Sequence, residues 1–457
     1  MYRRCFFLAV TDVSKVLVIG AVSSGCGKTT LTLGLMAALR VRGLTVQSYK
    51  VGPDYIDTSY HALASGRPSH NLDSWLVPIN KLRSIFESAI GDADIAIVEG
   101  VMGLYDGGRR GISSTAEIAK LLNAPVVLVV DAKSIGASAA AIALGFREYD
   151  RELELAGVLL NRIGSPTHRQ MIEDALSAIN IKCFGALKRD ERFVIPERHL
   201  GLLMADENPS LDFIEELGRA VEAQIDVDGL IDSAREIILS PTVERLTVDK
   251  KCRIGIARDE AFSFYYPESL MELKRLGAEL TEFSPLHDEI LPTVDGLILG
   301  GGYPEMFASE LERNVSMRQS IAKAASTGMP IYAECGGYMY LMRELIGFDG
   351  RRYEMCGVFD GRAAMNERLQ MVGYMEAELM SDCVIGRRGD VVRAHEFHFS
   401  SADVDAKKIF RCTRLRTEKV YEAGAVKGNV VGSYLHLHFA GCPTVAKNFI
   451  SHCSIKN

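Results

Sequence analysis

Short apolar runs rich in Val, Ile and Leu recur through the first half of the chain, at residues 16–19, 95–98, 126–130 and 158–160. Each reads as a strand buried on both faces, as strands of parallel sheets are. Longer stretches with helical spacing lie between them, such as the one placing Leu31, Leu35 and Leu39 on one face. That alternation predicts an α/β domain with a doubly wound parallel sheet. The pattern lapses from residue 226 to residue 251, where polar residues surround only isolated apolar ones, and a second series then begins. Its predicted strands are 254–257, 297–299, 331–333 and 431–434, with a helix over 268–276. The expected organisation is an N-terminal extension over 1–14, an α/β domain over 15–230, a linker over 231–251 and a second α/β domain over 252–457.

Composition narrows this picture. A chain of 457 residues, 47% of them hydrophobic, can fill two or three cores. The formal net charge is -7 and no block of five or six like charges occurs, which argues against a nucleic-acid partner. An anionic substrate would then need a local cluster of Lys and Arg. The 10 cysteines form no C-x-x-C pair, as expected of reduced thiols in a cytoplasm. The apolar run after Arg3 and Arg4 is short for a secretory segment, and no stretch reaches the roughly 18 apolar residues of a membrane span.

The first run leads into Ser23-Ser24-Gly25-Cys26-Gly27-Lys28-Thr29-Thr30 and then a helical pattern. Strand, glycine loop, Lys-Thr and helix form a P-loop: backbone N–H groups at Gly25 and Gly27 and the helix start cradle phosphates, Lys28 meets the β and γ groups, and Thr29 binds magnesium. Val22 stands where the general pattern has glycine. Magnesium with ATP also wants a few carboxylates at neighbouring strand ends. Glu99, closing the run 95–98, and Asp54, in Tyr49-Lys50-Val51-Gly52-Pro53-Asp54-Tyr55-Ile56-Asp57, are the candidates, with Asp57 and Asp106 behind them. Lys50, Arg67, Arg109 and Arg110 supply positive charge that would suit a polycarboxylate.

In the second half, Ala333-Glu334-Cys335-Gly336-Gly337-Tyr338 reads as a strand meeting a small-residue turn and a helix. Such an elbow exposes its tip, making Cys335 a candidate nucleophile near a helix start, where thiolate is favoured. Ser433-Tyr434-Leu435-His436-Leu437-His438 offers two histidines on one face of an extended segment, either of which could be the base. Gly300-Gly301-Gly302-Tyr303-Pro304-Glu305 is a strand-end turn whose N–H groups, at Gly301 and Gly302, could stabilise an oxyanion.

Taken as a set, these motifs resemble the family of cobyrinic acid a,c-diamide synthases, from about Lys15 to about His452. The resemblance implies a dethiobiotin synthetase-like ATP-binding domain followed by a class I-type glutamine amidotransferase domain. Members of this type lack the glutamate that usually lies two residues past the histidine. His438 holds that position here, which favours His436 as the base. By the same resemblance Thr29, Asp54 and Glu99 are magnesium positions, Asn161 an adenine contact, and His395, in His395-Glu396-Phe397-His398, a residue toward the substrate. Ile195-Pro196-Glu197-Arg198-His199-Leu200-Gly201-Leu202 also matches, while Lys188 stands where the family commonly has proline.

The implied activity is amidation of a cobyrinic acid or related tetrapyrrole polycarboxylate, with ATP, Mg2+ and glutamine-derived ammonia. Nickel-sirohydrochlorin and hydrogenobyrinic acid are alternative acceptors, and a P-loop switch with a non-catalytic second domain is the rival of another class. Neither a membrane nor nucleic acid is expected as a partner, and two copies could pair as a homodimer.

Overall fold

The computed structural model describes residues 13–195, 197–198, 201–202, 211–238 and 249–455. Most of the predicted extension, and much of the 195–202 motif, lie outside these residues. The chain divides into two compact units, Met1–Ser74 with Ile79–Arg245, and Trp75–Pro78 with Leu246–Asn457.

In the first unit, strands and helices alternate as the hydrophobic pattern requires. They run β1 (Val13–Ala21), α1 (Lys28–Val41), β2 (Val46–Val51), α2 (Ile56–Ser65), β3 (His70–Leu72), α3 (Ile79–Ile90), β4 (Ile95–Glu99) and α4 (Thr115–Leu122). Next come β5 (Val126–Asp131), α5 (Ser138–Tyr149), β6 (Leu155–Ile163), α6 (Pro166–Ala178), β7 (Cys183–Lys188), the two-residue strands β8 (Glu197–Arg198) and β9 (Gly201–Leu202), α7 (Leu211–Gln224) and α8 (Val227–Ser233). The sheet has the order β3-β2-β4-β1-β5-β6-β7 with every neighbouring pair parallel.

Its central strands are buried on both faces, which is why they read as unbroken apolar runs. On one face, Leu17, Ile19, Val127 and Val129 pack with Leu31, Leu35 and Leu39 of α1 and with Leu217 and Val221 of α7. Each such fully buried aliphatic side chain stabilises the unit by ~1.5–3 kcal/mol. Part of the predicted linker belongs to this sheet: β10 (Arg235–Ile238) pairs antiparallel with the start of β1, Val13 opposite Ile238. It occupies the edge of β1 that β5, which pairs from Val18 onward, leaves open.

The second unit has a sheet of order β12-β11-β13-β14-β24-β23. Its elements are β11 (Cys252–Ala257), α9 (Pro267–Arg275), β12 (Ala278–Phe283), β13 (Gly296–Leu299), α10 (Ala308–Arg313), α11 (Val315–Ser326), β14 (Ile331–Glu334), α12 (Gly336–Tyr340), β23 (Ala425–Lys427), β24 (Val430–Ser433) and α13 (Pro443–Cys453). Only β23 runs antiparallel. One face carries Leu297, Leu299, Ile331 and Ala333 against Met317 and Ile321, and the other Ile254, Ile256 and Val431 against Phe449 and Ile450.

Between α12 and β23, with one strand added after β24, the chain builds two smaller sheets absent from the sequence expectation. One is β16-β15-β17-β20, from β15 (Met342–Ile346), β16 (Arg352–Glu354), β17 (Phe359–Met365) and β20 (Ser400–Val404). The other is β22-β21-β18-β19-β25, from β18 (Met371–Leu379), β19 (Val391–His398), β21 (Phe410–Arg414), β22 (Val420–Ala423) and β25 (His436–Leu437). Their strands are half-wet, with exposed and buried positions interleaved, and so lack the long apolar runs of the central strands. Among the described residues no helix is long and apolar enough to cross a membrane.

Candidate active sites

The P-loop connects β1 to α1. Gly27, the N-cap of α1, has φ 81 and ψ 26, a left-handed conformation that glycine adopts without strain. A Cβ there would lie 2.0 Å from Asn161 Nδ2. Asn161, at the end of β6, donates from Nδ2 to Cys26 O at 2.8 Å and so fastens the loop backbone. Gly25 is also left-handed, with φ 77. Lys28, Thr29 and Thr30 open α1, where the first amides have no partner within the helix and form the kind of end that can receive an anion. Lys28 is buried, and its Nζ reaches Met102 O at 3.4 Å. Burial, then the neighbouring Lys50, hold its ammonium below the ordinary lysine range.

Parallel pairing puts Lys50 of β2 directly beside Glu99 of β4. Lys50 Nζ donates to Glu99 Oε1 at 2.9 Å, to Gly100 O at 3.1 Å and to Asp57 Oδ2. Thr29 Oγ1 donates to Glu99 Oε1 at 2.7 Å. Burial opposes the charge on Lys50, yet Asp57 and Glu99 outweigh it and raise the group above its usual range. Burial likewise opposes ionisation of Glu99, but Lys50 and His61 hold it well below the usual carboxylate range. Asp57 is pushed up to about 6 by burial and by Asp54, against the pull of Lys50.

Asp54 Oδ1 accepts from the backbone N–H groups of Ile56 and Asp57 at 2.8 and 3.0 Å, fixing the start of α2 beside this cluster. Asp106 is exposed and accepts from Gly103 N at 3.0 Å within its own loop. Arg67 pairs with Asp92 at 2.7 Å, ahead of β4 rather than at the strand end carrying Glu99, so it is withdrawn from the candidate anion cluster.

His61 escaped the sequence reading. Its Nε2 lies 2.6 Å from Glu99 Oε2, and both side chains are fully buried. A histidine inside a helix carries no motif of its own, and only the approach of α2 to β4 shows its role. Exchanging His61 for alanine strips Glu99 of this partner, and we expect a loss of about 1–3 kcal/mol. Thermal melts of the two proteins check this; unchanged melting would show that the contact contributes little.

Asp57 and Glu99 converge on the Lys50 ammonium and both accept from the Thr29 hydroxyl, and the hard chemistry of these oxygens fits magnesium. Among the described residues no three His, Cys, Asp or Glu side chains form a complete metal cage.

The second unit builds a different site. Cys335 follows β14 with φ 44 and ψ -104, a conformation rare for a side-chain-bearing residue and costing about 1–3 kcal/mol. The surrounding backbone enforces it: Cys335 N donates to Ser433 O at 2.8 Å, and Gly337 N to Gly300 O at 2.9 Å. The tip is tightly packed, since a Cβ on Gly336 would sit 3.1 Å from Gly302 N. The glycine turn at Gly301 and Gly302 thus abuts the elbow, and a Cβ on Gly301 would meet His436 Cε1 at 2.8 Å.

His436, on β25, is a side-chain neighbour of Cys335 and faces Glu334, whose Oε2 is 3.5 Å from its Nδ1. Burial disfavours the charged imidazole, but Cys335 and Glu334 outweigh it and push His436 up to about 10. Its ring should therefore stay protonated through neutral pH, whereas an unpaired histidine titrates near 6.5. Because the folded value is raised, the associated stability is full below about pH 6.5 and is lost as pH climbs toward about 10. Imidazole NMR of the folded protein checks this, and a midpoint near 6.5 would contradict it.

His438 is engaged elsewhere: its ring stacks on Tyr266 at 4.8 Å and its Nε2 lies 3.7 Å from Glu268. His395 pairs across the strands with His436. Burial, then His436 and His398, press it down to about 3, so it is neutral at physiological pH.

Comparison with known proteins accords with this geometry. Residues 17–203 match the CobQ/CobB/MinD/ParA nucleotide binding domain, and residues 253–443 the CobB/CobQ-like glutamine amidotransferase domain. The cobyrinate a,c-diamide synthase of Syntrophotalea carbinolica is 44% identical over 450 residues, covering 96% of this chain and 98% of that protein. Those of Dehalococcoides mccartyi, 44% identical over 95% of this chain and 97% of theirs, and Caldanaerobacter subterraneus, 42% identical over 96% and 98%, are similar along nearly their whole lengths. With such identity across both units, the chain belongs to the cobyrinate a,c-diamide synthase family of amidoligase enzymes.

Proposed function

We propose that the enzyme amidates the a and c side-chain carboxylates of cobyrinic acid, activating each with ATP and drawing ammonia from glutamine. The observation that carries the ammonia half is the pairing of Cys335, at a strained strand–helix elbow, with a buried His436. The activating half is supported by the P-loop and by the Lys50, Asp57 and Glu99 cluster at the adjoining strand ends.

In the second unit Cys335 attacks the side-chain amide carbon of glutamine, its proton residing on His436. The sulfur–carbon bond forms, the carbon–nitrogen bond breaks, and His436 returns a proton to the departing ammonia. Water then hydrolyses the thioester to glutamate and the free thiol. Amides at Gly301 and Gly302 lie beside the elbow, where an oxyanion would form.

In the first unit a carboxylate is a poor acceptor for ammonia until one oxygen becomes a leaving group. Phosphoryl transfer from ATP provides that as an acyl phosphate. Lys28 and the opening amides of α1 hold the phosphates and offset the charge that develops during transfer. Thr29, Glu99 and Asp54 would hold magnesium, which neutralises phosphate charge when bound. Lys50 and Asp57 lie together beside the strand end of Glu99, where the acceptor carboxylate would be placed, and Asp106 would approach it from the loop after β4.

Mass spectrometry of products formed with ATP and glutamine tests this reading. Cobyrinic acid should gain two amides. Conversion of nickel-sirohydrochlorin or hydrogenobyrinic acid alone would transfer the assignment to that tetrapyrrole, and conversion of none would refute it.

A further inference from the structure

A cysteine–imidazole pair works when one ring nitrogen is aimed at sulfur and a group at the other nitrogen fixes the ring and supports the charge it acquires. The histidine two residues past His436 does not serve, since the His438 ring is engaged with Tyr266 and Glu268. The carboxylate facing His436 Nδ1 belongs to Glu334, the residue immediately before the nucleophile.

Its two oxygens are differently employed. Oε1 accepts from the Tyr332 hydroxyl at 2.7 Å and from the backbone N–H of Leu437 at 3.0 Å. Those two donors lock the side chain, which is only 7% exposed, and leave Oε2 directed at the imidazole. Because Leu437 follows His436, the same carboxylate grips both the histidine's backbone and its ring. Alternation along β14 puts Tyr332 and Glu334 on one side, and the turn at Cys335 brings the thiol round to the same imidazole.

We propose that Glu334 is the positioning carboxylate of the glutaminase site, so that nucleophile and orienting acid are consecutive residues with His436 held between them. The 3.5 Å approach is an ion-pair contact, and such contacts in substrate-free sites commonly tighten when substrate binds. Other titratable groups around the ring do not compete for this task. His395 and His398 are pressed down to about 3 and about 4, chiefly by burial, and burial raises Glu396, which accepts from Tyr421 at 2.7 Å.

The inference rests on reading the second unit as a glutaminase, and the test separates the two. Glutamine hydrolysis and the pH dependence of Cys335 alkylation by iodoacetamide are measured in wild type, Glu334→Gln and Glu334→Asp, alongside thermal melts. In Glu334→Gln we expect glutaminase kcat to fall roughly 10²-fold with little change in glutamine KM. The midpoint of alkylation should move by about one pH unit as the imidazolium loses its support. Glu334→Asp should recover part of both. Wild-type kcat and alkylation in a normally melting Glu334→Gln would overturn the proposal, as would equal loss in both variants with an unmoved alkylation midpoint. A wild type that hydrolyses no glutamine would refute the functional reading, while the alkylation profiles would still decide whether Glu334 supports His436.

Discussion

Cys335→Ala should lower glutamine-dependent amidation by roughly 10³-fold or more while leaving amidation with added ammonium salt near the wild-type rate. Alanine removes only the attacking sulfur. It keeps the small, buried volume at the elbow, and the backbone bonds to Ser433 O and Gly300 O do not depend on the thiol. Ammonia from solution bypasses the missing step, because in the proposed mechanism carboxylate activation belongs to the other unit. Rates with the two nitrogen donors, measured side by side, check this. Equal loss with both would count against separate sites for the two half-reactions.

The second large effect is the converse. Lys28→Ala should depress amidation with either donor by roughly 10²-fold or more, because the charge that the proposed mechanism sets against the transferring phosphoryl group is lost. Basal glutamine hydrolysis should persist. Lys28 is buried, with Lys50 lowering its ammonium below the usual range and Glu99, Asp57 and Asp54 pulling the other way, so thermal melts run alongside separate loss of charge from loss of fold. A variant still amidating at the normal rate would refute the P-loop assignment.

Where the sequence was legible, the reason was local. A strand covered on both sides must be apolar throughout, so 95–98 and 126–130 predicted β4 and β5 to within a residue or two. A phosphate loop needs glycine at left-handed positions and a helix immediately after, and Gly25, Gly27 and α1 stand in that arrangement. The elbow at Cys335 was legible because small residues must follow a nucleophile that close to its neighbours.

The misreadings share a different cause. The half-wet strands of the smaller sheets carry no apolar run long enough to mark them, and β10 looked like linker because an edge segment of four residues buries little. Arg67 was grouped with the anion-binding residues by its place in the chain, whereas pairing with Asp92 sets it ahead of β4.

By itself, then, the sequence determined the two α/β units, the phosphate loop and the strand–turn–helix that carries the candidate nucleophile Cys335. Those follow from covalent neighbours and from periodicities of two and 3.6 residues, which act over short distances along the chain. Only the tertiary structure decided which side chains meet. Lys50 faces Glu99 because β2 and β4 are adjacent and parallel, His61 reaches Glu99 because α2 packs near β4, and Glu334 reaches His436 because β25 lies beside the elbow. A buried charge must find a partner, and that partner is set by strand order and register, which no local motif records.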